Sequence, residues 1–356
     1  MTQLNKYGWN EFFENQLLNL GSNEFTCGRV SRENKNNYIL LSEFGEISAE
    51  LSGKFLFNAD LKSDFPAVGD WVLFRHLSSE GKGIIEIVLE RKNKFSRKVT
   101  LGNTDEQIIA SNIDFLFIVT SMNEEINFRR IERYLTLANE CGITPVIVLS
   151  KSDLCVNPED TIKEMIKTAG KAAVHSVSTI ENKGVELIAE YLIDNKTGAL
   201  VGSSGVGKST LINKLSGAEL MEVKDISSYK DKGKHTTSHR ELIILPGGGI
   251  IIDTPGMREL QMWEGSEGLG ETFSDIEKLL SECKFNDCTH TSEPGCAVTE
   301  ALENGRLDEG RYKSYLKLKK EIRYFERRKD ANEMAAEKKK WKSITKRIRN
   351  QNKRNI

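Results

Sequence analysis

The stretch ALVGSSGVGKSTLINKL, residues 199–215, constrains this chain more than any other. An apolar run, Ala199–Val201, leads into Gly202, Ser203, Ser204, Gly205, Val206, Gly207, Lys208 and Ser209, and a helical pattern opening with Ser209 and Thr210 follows. Such a loop works because its glycines let consecutive main-chain N–H groups face phosphate oxygens at a helix N-terminus. The lysine then reaches the terminal phosphates and the serine hydroxyl serves a Mg²⁺ ion. The spacing therefore predicts an α/β layer with a largely parallel sheet and a nucleotide at its edge.

Three other stretches belong with this loop. GIIIDTPGMRE sets Asp253 at a strand end, where a carboxylate can hold Mg²⁺ through water and the Gly256 amide can meet a γ-phosphate. KDKGKHTTSHR, between loop and strand, suits a switch segment in which Thr236 or Thr237 offers a hydroxyl to the same ion. VIVLSKSDL places Ser150, Lys151, Ser152 and Asp153 after a strand. An aspartate there can accept from both N1–H and N2–H₂ of guanine, which adenine does not present, while the lysine stem lies over the base. Ser178 and Thr179, after the next strand, can turn an amide toward guanine O6. In chain order the base-reading loop precedes the phosphate loop. A sheet needs its strands in the right places rather than in one fixed order, so the reading is a circularly permuted GTPase domain binding GTP or GDP with Mg²⁺.

Before this domain, FTCGRVSR, NYILLSEFG, EISAELSGKFLF, GDWVLFRHL and KGIIEIVLER read as short strands of a small antiparallel barrel, of either OB or SH3-like type. Trp9–Glu14 reads as a short docking helix. After it, Cys283, Cys288, His290 and Cys296 stand within 14 residues around Pro294-Gly295, a complete ligand set for one structural Zn²⁺. Cys27, Cys141 and Cys155 read as packing or surface residues, and six cysteines in 356 residues do not make a disulfide framework. The net charge of −1 hides an asymmetry: residues 311–356 carry 18 basic against 5 acidic side chains, interleaved with aromatics, which suits phosphate contacts and base stacking on RNA. No apolar run reaches membrane-span length and no secretory signal opens the chain, so the expectation is a cytoplasmic protein without membrane association.

SKSD, GSSGVGKS, GKHTT and DTPGMRE in this order, with Pro66-Ala-Val-Gly-Asp-Trp-Val72 before them and the Cys/His cluster after them, resemble the ribosome-small-subunit-dependent GTPase family, RsgA or YjeQ. The resemblance covers roughly residues 24–350. It implies a multidomain chain: an N-terminal extension (1–23), an OB-fold RNA-binding barrel (24–98), a circularly permuted GTPase domain (99–260) and a mainly helical zinc-binding domain with a basic tail (261–356). It further implies GTP hydrolysis coupled to late maturation of the small ribosomal subunit, with the 30S subunit and its 16S rRNA as partners of a monomeric protein.

Two departures bear on chemistry. The base-reading loop usually begins with Asn or Thr, whereas Ser150 keeps a hydroxyl but loses an amide's reach, predicting modest base affinity with selectivity left to Asp153. Met257 occupies the place where small GTPases often carry a water-orienting glutamine, so unaided hydrolysis should be slow. His235 is then the candidate to orient the water. The competing readings are a P-loop ATPase or small-molecule kinase, which Asp153 argues against, and a non-catalytic RNA-binding protein with a vestigial nucleotide fold, which Lys208, Ser209 and Asp253 argue against.

Overall fold

The computed structural model describes residues 3–20, 24–34, 37–98, 106–123, 125–218, 240–253, 267–291, 293–324 and 326–327. His235, Thr236, Thr237, Gly256, Met257 and the basic tail from 328 onward lie outside these residues.

The first helix, α1 (Glu11–Leu20), follows a short turn at Gln3–Tyr7. Trp9 and Phe13 are buried, and both rings meet Trp71, with centroids at 4.8 and 5.8 Å. Fully burying a side chain of this size stabilises the fold by about 1.5–3 kcal/mol, which is what docks this segment.

The barrel strands are β1 (Thr26–Asn34), β2 (Asn37–Ser42), β3 (Gly45–Leu51), β4 (Trp71–Leu77) and β5 (Lys82–Val88). They pair in the order β1-β2-β3-β5-β4, and β4 returns to β1, closing a five-strand barrel around Val30, Leu40, Val72, Phe74 and Ile85. Two features differ from the sequence reading. GKFLFN is a helix, α2 (Gly53–Asn58), because the Ser52 hydroxyl caps it by accepting from Phe55 N at 3.0 Å. The barrel is not wholly antiparallel: the segment from α2 to residue 70 carries the chain across to β1, so β3 is left to pair with β5 in parallel. That strand order and the helix between β3 and β4 are of OB type, which settles the choice left open with the SH3-like alternative.

A two-stranded ribbon follows, β6 (Lys94–Lys98) with β7 (Glu106–Ser111). Then come β8 (Phe115–Ser121), α3 (Phe128–Glu140), β9 (Thr144–Ser150), α4 (Pro158–Ala169), β10 (Ala173–Val177), α5 (Val185–Glu190), β11 (Thr197–Val201), α6 (Lys208–Ser216), β12 (Glu241–Ile244) and β13 (Ile250–Asp253). These strands lie side by side as β10-β9-β8-β11-β13-β12, all parallel except the β12–β13 pair. The central strands are apolar along their length because helices cover both faces. β12 also meets β1 through Arg32 opposite Glu241, joining barrel and sheet edge to edge.

The last part holds α7 (Glu267–Thr272), α8 (Ser274–Ser281), α9 (Ala297–Glu303) and a helix over residues 309–324, α10. Its own core gathers Phe273, Ile276, Val298, Tyr315, Leu318 and Ile322.

Arg29, 1% exposed, stands where the first segment, barrel and sheet meet. It donates to Gly69 O (3.2 Å), Tyr7 O (2.6 Å), Asn112 O (3.2 Å) and Thr197 Oγ1 (3.0 Å), the last at the start of the strand that feeds the phosphate loop. Burial pulls its guanidinium down to about 10, while the charges of Asp114 and Asp70 oppose that fall. The Pro66–Val72 segment acquires a physical reason here. Asp70 accepts from Ala67 N at 2.8 Å and pairs with Arg91 through two bonds of 2.8 and 2.7 Å. Gly69 runs at φ +96° against Ser111 O, where a Cβ would come within 2.3 Å.

Candidate nucleotide site and metal centre

Parallel strands deliver their C-terminal ends to one edge of the sheet, and that edge is where α/β folds bind ligands. Three loops and one strand end meet there. The phosphate loop, 202–207, links β11 to α6; Ser150 ends β9 and Lys151–Asp153 follow it; Ser178 and Thr179 follow β10; Asp253 ends β13, beside β11.

Gly202 has φ +145°, and a Cβ there would lie 2.1 Å from Val119 O, so only glycine lets the chain leave β11 against β8. Ser204 and Gly205 are exposed, Val206 is buried in the core under the sheet, and Ser209 and Thr210 are half-buried in the first turn of α6. Lys208 Nζ donates to the carbonyls of Gly202 (2.9 Å) and Ser203 (2.6 Å), folding back over its own loop.

Ser150 is buried, and its hydroxyl reaches Val206 O at 2.5 Å and Thr120 O at 3.2 Å. One hydroxyl hydrogen serves both acceptors, and the contact ties the base-reading loop to the phosphate loop. Lys151 sits at φ +56°, which turns the chain into the short helical turn Ser152–Leu154. Asp153 Oδ1 accepts from the Ser178 hydroxyl at 2.6 Å. The same hydroxyl accepts from Glu181 N at 3.1 Å, and Ser178 closes its turn with Lys183 through two main-chain bonds. Ser178, fully buried, thereby fixes how the Asp153 carboxylate points. Asp253 is 8% exposed.

The sequence reading missed one contact at this edge: Arg130 Nη1 of α3 donates to Ser203 Oγ. Seventy-three residues separate the pair, and nothing local to either residue signals it.

The metal ligands stand apart, in the C-terminal part. The donor atoms of Cys283, Cys288, His290 and Cys296 all lie within 4.8 Å of one another. Cys283 Sγ and Cys296 Sγ are 3.4 and 3.6 Å from His290 Nδ1 and 4.0 Å from each other. A tetrahedral ZnS₃N centre with ordinary bond lengths has S–N edges of about 3.5 Å and S–S edges of about 3.8 Å. The cluster thus fits a metal ion of that size with all four positions filled by protein. Cys296 also caps α9, and although burial pushes its thiol up, the hydroxyl and N–H of Thr299 hold it down at about 6. Burial pushes the thiols of Cys27 and Cys141 up to about 12, in keeping with packing roles.

Comparison with known proteins decides the lineage. The family model described as RsgA GTPase matches residues 88–263. A small ribosomal subunit biogenesis GTPase RsgA of Opitutus terrae is 42% identical over 351 residues, covering 96% of this chain and 95% of its own. The chain belongs to the RsgA GTPase family. RsgA 1 of Oceanobacillus iheyensis is 45% identical over 318 residues, covering 89% and 91% of the two chains. Among solved structures, YjeQ from Thermotoga maritima shares 29% identity at a TM-score of 0.62 and covers 84% of this chain and 98% of its own. YloQ, titled a circularly permuted GTPase, shares 29% identity at a TM-score of 0.60, covering 85% and 96%. The family read in the sequence, and with it the barrel, the permuted GTPase core and the helical Cys/His part, is borne out. No helix among the described residues is long and apolar enough to cross a membrane.

Proposed function

We propose that this chain is a GTP hydrolase of small-ribosomal-subunit biogenesis that binds the 30S subunit and couples hydrolysis to late maturation and to its own release. The observation that carries the reading is the meeting, at one sheet edge, of the phosphate loop with an aspartate whose carboxylate is oriented by Ser178. In this reading Asp153 accepts from guanine N1–H and N2–H₂ and the Lys151 stem covers the base; of the two amides the sequence offered to O6, Ser178 N–H is taken by Lys183 O, which leaves Thr179. The tie from Ser150 to Val206 O keeps base and phosphate loops in register.

The main-chain N–H groups of 202–207 and Lys208 bind the phosphates. Ser209, Thr237 and, through water, Asp253 would hold Mg²⁺, which when bound neutralises charge between β- and γ-phosphates. Gly256 donates its N–H to the γ-phosphate, and His235 accepts from the attacking water in place of the absent glutamine. One Zn²⁺ held by Cys283, Cys288, His290 and Cys296 braces the helical part without chemistry. The parts work as an N-terminal extension (1–23), an RNA-binding barrel (24–98), a GTPase domain (99–260) and a zinc domain with a basic tail (261–356). The protein acts as a cytoplasmic monomer on 16S rRNA.

Steady-state hydrolysis of GTP and of ATP, each with and without purified 30S subunits, tests this. Slow GTP turnover that rises at least ten-fold with 30S, with ATP inert, is expected. Equal use of ATP overturns the base reading, and indifference to 30S overturns the partner.

A further inference from the structure

Helix α3 touches two parts of the molecule, the phosphate loop and the C-terminal helical part. It leaves β8, the neighbour of the phosphate-loop strand β11, so its first turn emerges beside that loop. Asn127 caps it, accepting from Arg130 N at 3.0 Å, which pins the Arg130 main chain and leaves its exposed side chain to reach Ser203 Oγ. Packing does not order this arginine; the serine hydroxyl does.

Farther along, α3 turns a polar face to the helical part. Glu132, 3% exposed, meets Arg311 of α10 at 2.9 Å. Arg133 forms two bonds of 2.8 Å with Glu321 of α10. Asn139 donates to Thr272 Oγ1 at 3.1 Å, and Glu140 accepts from Gly268 N at 3.0 Å. One rigid helix therefore holds the phosphate loop at one end and the metal-binding part along its flank.

Ser203 is held twice. Its carbonyl takes Lys208 Nζ and its hydroxyl takes Arg130. Phosphate oxygens compete for Lys208, and once they win, Ser203 keeps its tie to α3 while Ser150 still holds the loop at Val206 O. We propose that Arg130 is a positioning residue for the nucleotide reaction: it fixes the phosphate loop to α3 and so couples nucleotide binding to the helical part that α3 carries. This rests on the reading of the site as a GTP site, and its reciprocity follows from linkage, since whatever nucleotide does to α3, α3 does to nucleotide.

The test uses the full-length, zinc-loaded protein and the variants Arg130→Ala, Arg130→Lys, Ser203→Ala and the double Arg130→Ala/Ser203→Ala. Affinities for fluorescent GDP and for a non-hydrolysable GTP analogue are measured, with hydrogen exchange of α8–α10 as second readout. Arg130→Ala and Ser203→Ala should each weaken both nucleotides about ten-fold, the size of one charged hydrogen bond. The double variant should be no worse than either single one, and lysine should restore part of the loss. Nucleotide should raise exchange protection in α8–α10 of the wild type and not of Arg130→Ala. Additive losses, wild-type affinity in Arg130→Ala, or an exchange response that survives the substitution each overturn the role. A wild-type protein that binds no guanine nucleotide brings down the proposed function together with it, whereas normal wild-type binding with an indifferent Arg130→Ala sinks Arg130 alone.

Discussion

Arg29 and Arg311 each cross from one part of the chain to another, yet they are satisfied by different chemistry. Arg29 gives its donors to three main-chain carbonyls and the Thr197 hydroxyl. Arg311 gives its donors to the carboxylates of Asp275 and Glu132 and to a single carbonyl, Thr272 O. Carbonyl dipoles neither titrate nor move apart without unfolding, and Arg29 is almost wholly buried. Carboxylates do titrate, and the neighbouring Arg133–Glu321 pair stays about a quarter exposed and is screened by salt. The barrel is thus joined to the sheet as part of its core, whereas the helical part is attached through charges that solution conditions can weaken. In the coupling proposed above, the part that would respond to nucleotide is the one held through charges.

Removing the metal should give the largest contrast between the two joints. Structural zinc contributes on the order of 10 kcal/mol to small modules, and here the ligands bracket the turn between α8 and α9. Chelation should strip exchange protection from α8, α9 and α10 while β1 and β4 keep theirs. Loss of protection in β1 and β4 at the same chelator concentration would abolish the distinction. Next in size is Arg29→Met. It takes their Arg29 donor from the carbonyls of Tyr7 and Asn112 and from the Thr197 hydroxyl, while Gly69 O keeps Asn112 Nδ2 at 3.0 Å, and such losses cost about 3–5 kcal/mol. Urea unfolding followed by Trp fluorescence checks this, Trp71 lying under Arg29 and Trp9 packing on Trp71. A cost below about 1 kcal/mol would show that this joint is no stronger than the other.

What the sequence made legible follows from distance along the chain. The phosphate loop and the Cys/His cluster each lie within a short stretch, so spacing alone announces them. Arg29 with Thr197 spans 168 residues, Arg133 with Glu321 spans 188, and Arg130 with Ser203 spans 73. No periodicity carries such pairings; α3 reads simply as amphipathic, although Glu132 and Thr136 on its second face are buried. Ser150 shows the same limit. Its identity predicted a lost reach, but its hydroxyl bond to Val206 O depends on the phosphate loop passing beside β9. α2 was misjudged because Phe55-Leu-Phe57 is a short aromatic-rich apolar run, which periodicity cannot assign to strand or helix, while the cap that decides for helix is the single hydroxyl of Ser52.

The smallest predicted effect concerns Glu132 and discriminates by its sign. Burial pushes the Glu132 carboxyl up, and the hydrogen bond of Ser314 and the charge and hydrogen bond of Arg311 offset that only in part. Burial acts the same way on Asp275, but there the bonds and charge of Arg311 outweigh it and the carboxyl ends below its ordinary value. A carboxyl raised by folding binds its proton more tightly in the native state than in the unfolded one. Its contribution is therefore fullest below 4.5 and is lost as pH rises through the folded value. Asp275 behaves oppositely, contributing above 3.8 and losing that contribution as pH falls through its lowered value. Glu132→Gln removes the first dependence and keeps the second. Its stability relative to wild type should improve as pH is raised from 4.5 toward 7, ending within about 1 kcal/mol of it, because Arg311 keeps Asp275 and Thr272 O and the glutamine oxygen still accepts from it. Arg311→Met, which leaves both carboxylates behind, should instead cost about 2 kcal/mol at pH 7 and recover toward low pH as Glu132 takes up its proton. Chemical denaturation of the three proteins from pH 4.5 to 8 measures both trends. Parallel pH curves for wild type and Glu132→Gln would mean that Glu132 stays ionised throughout, and that the joint on α3 is as insensitive to pH as the one around Arg29.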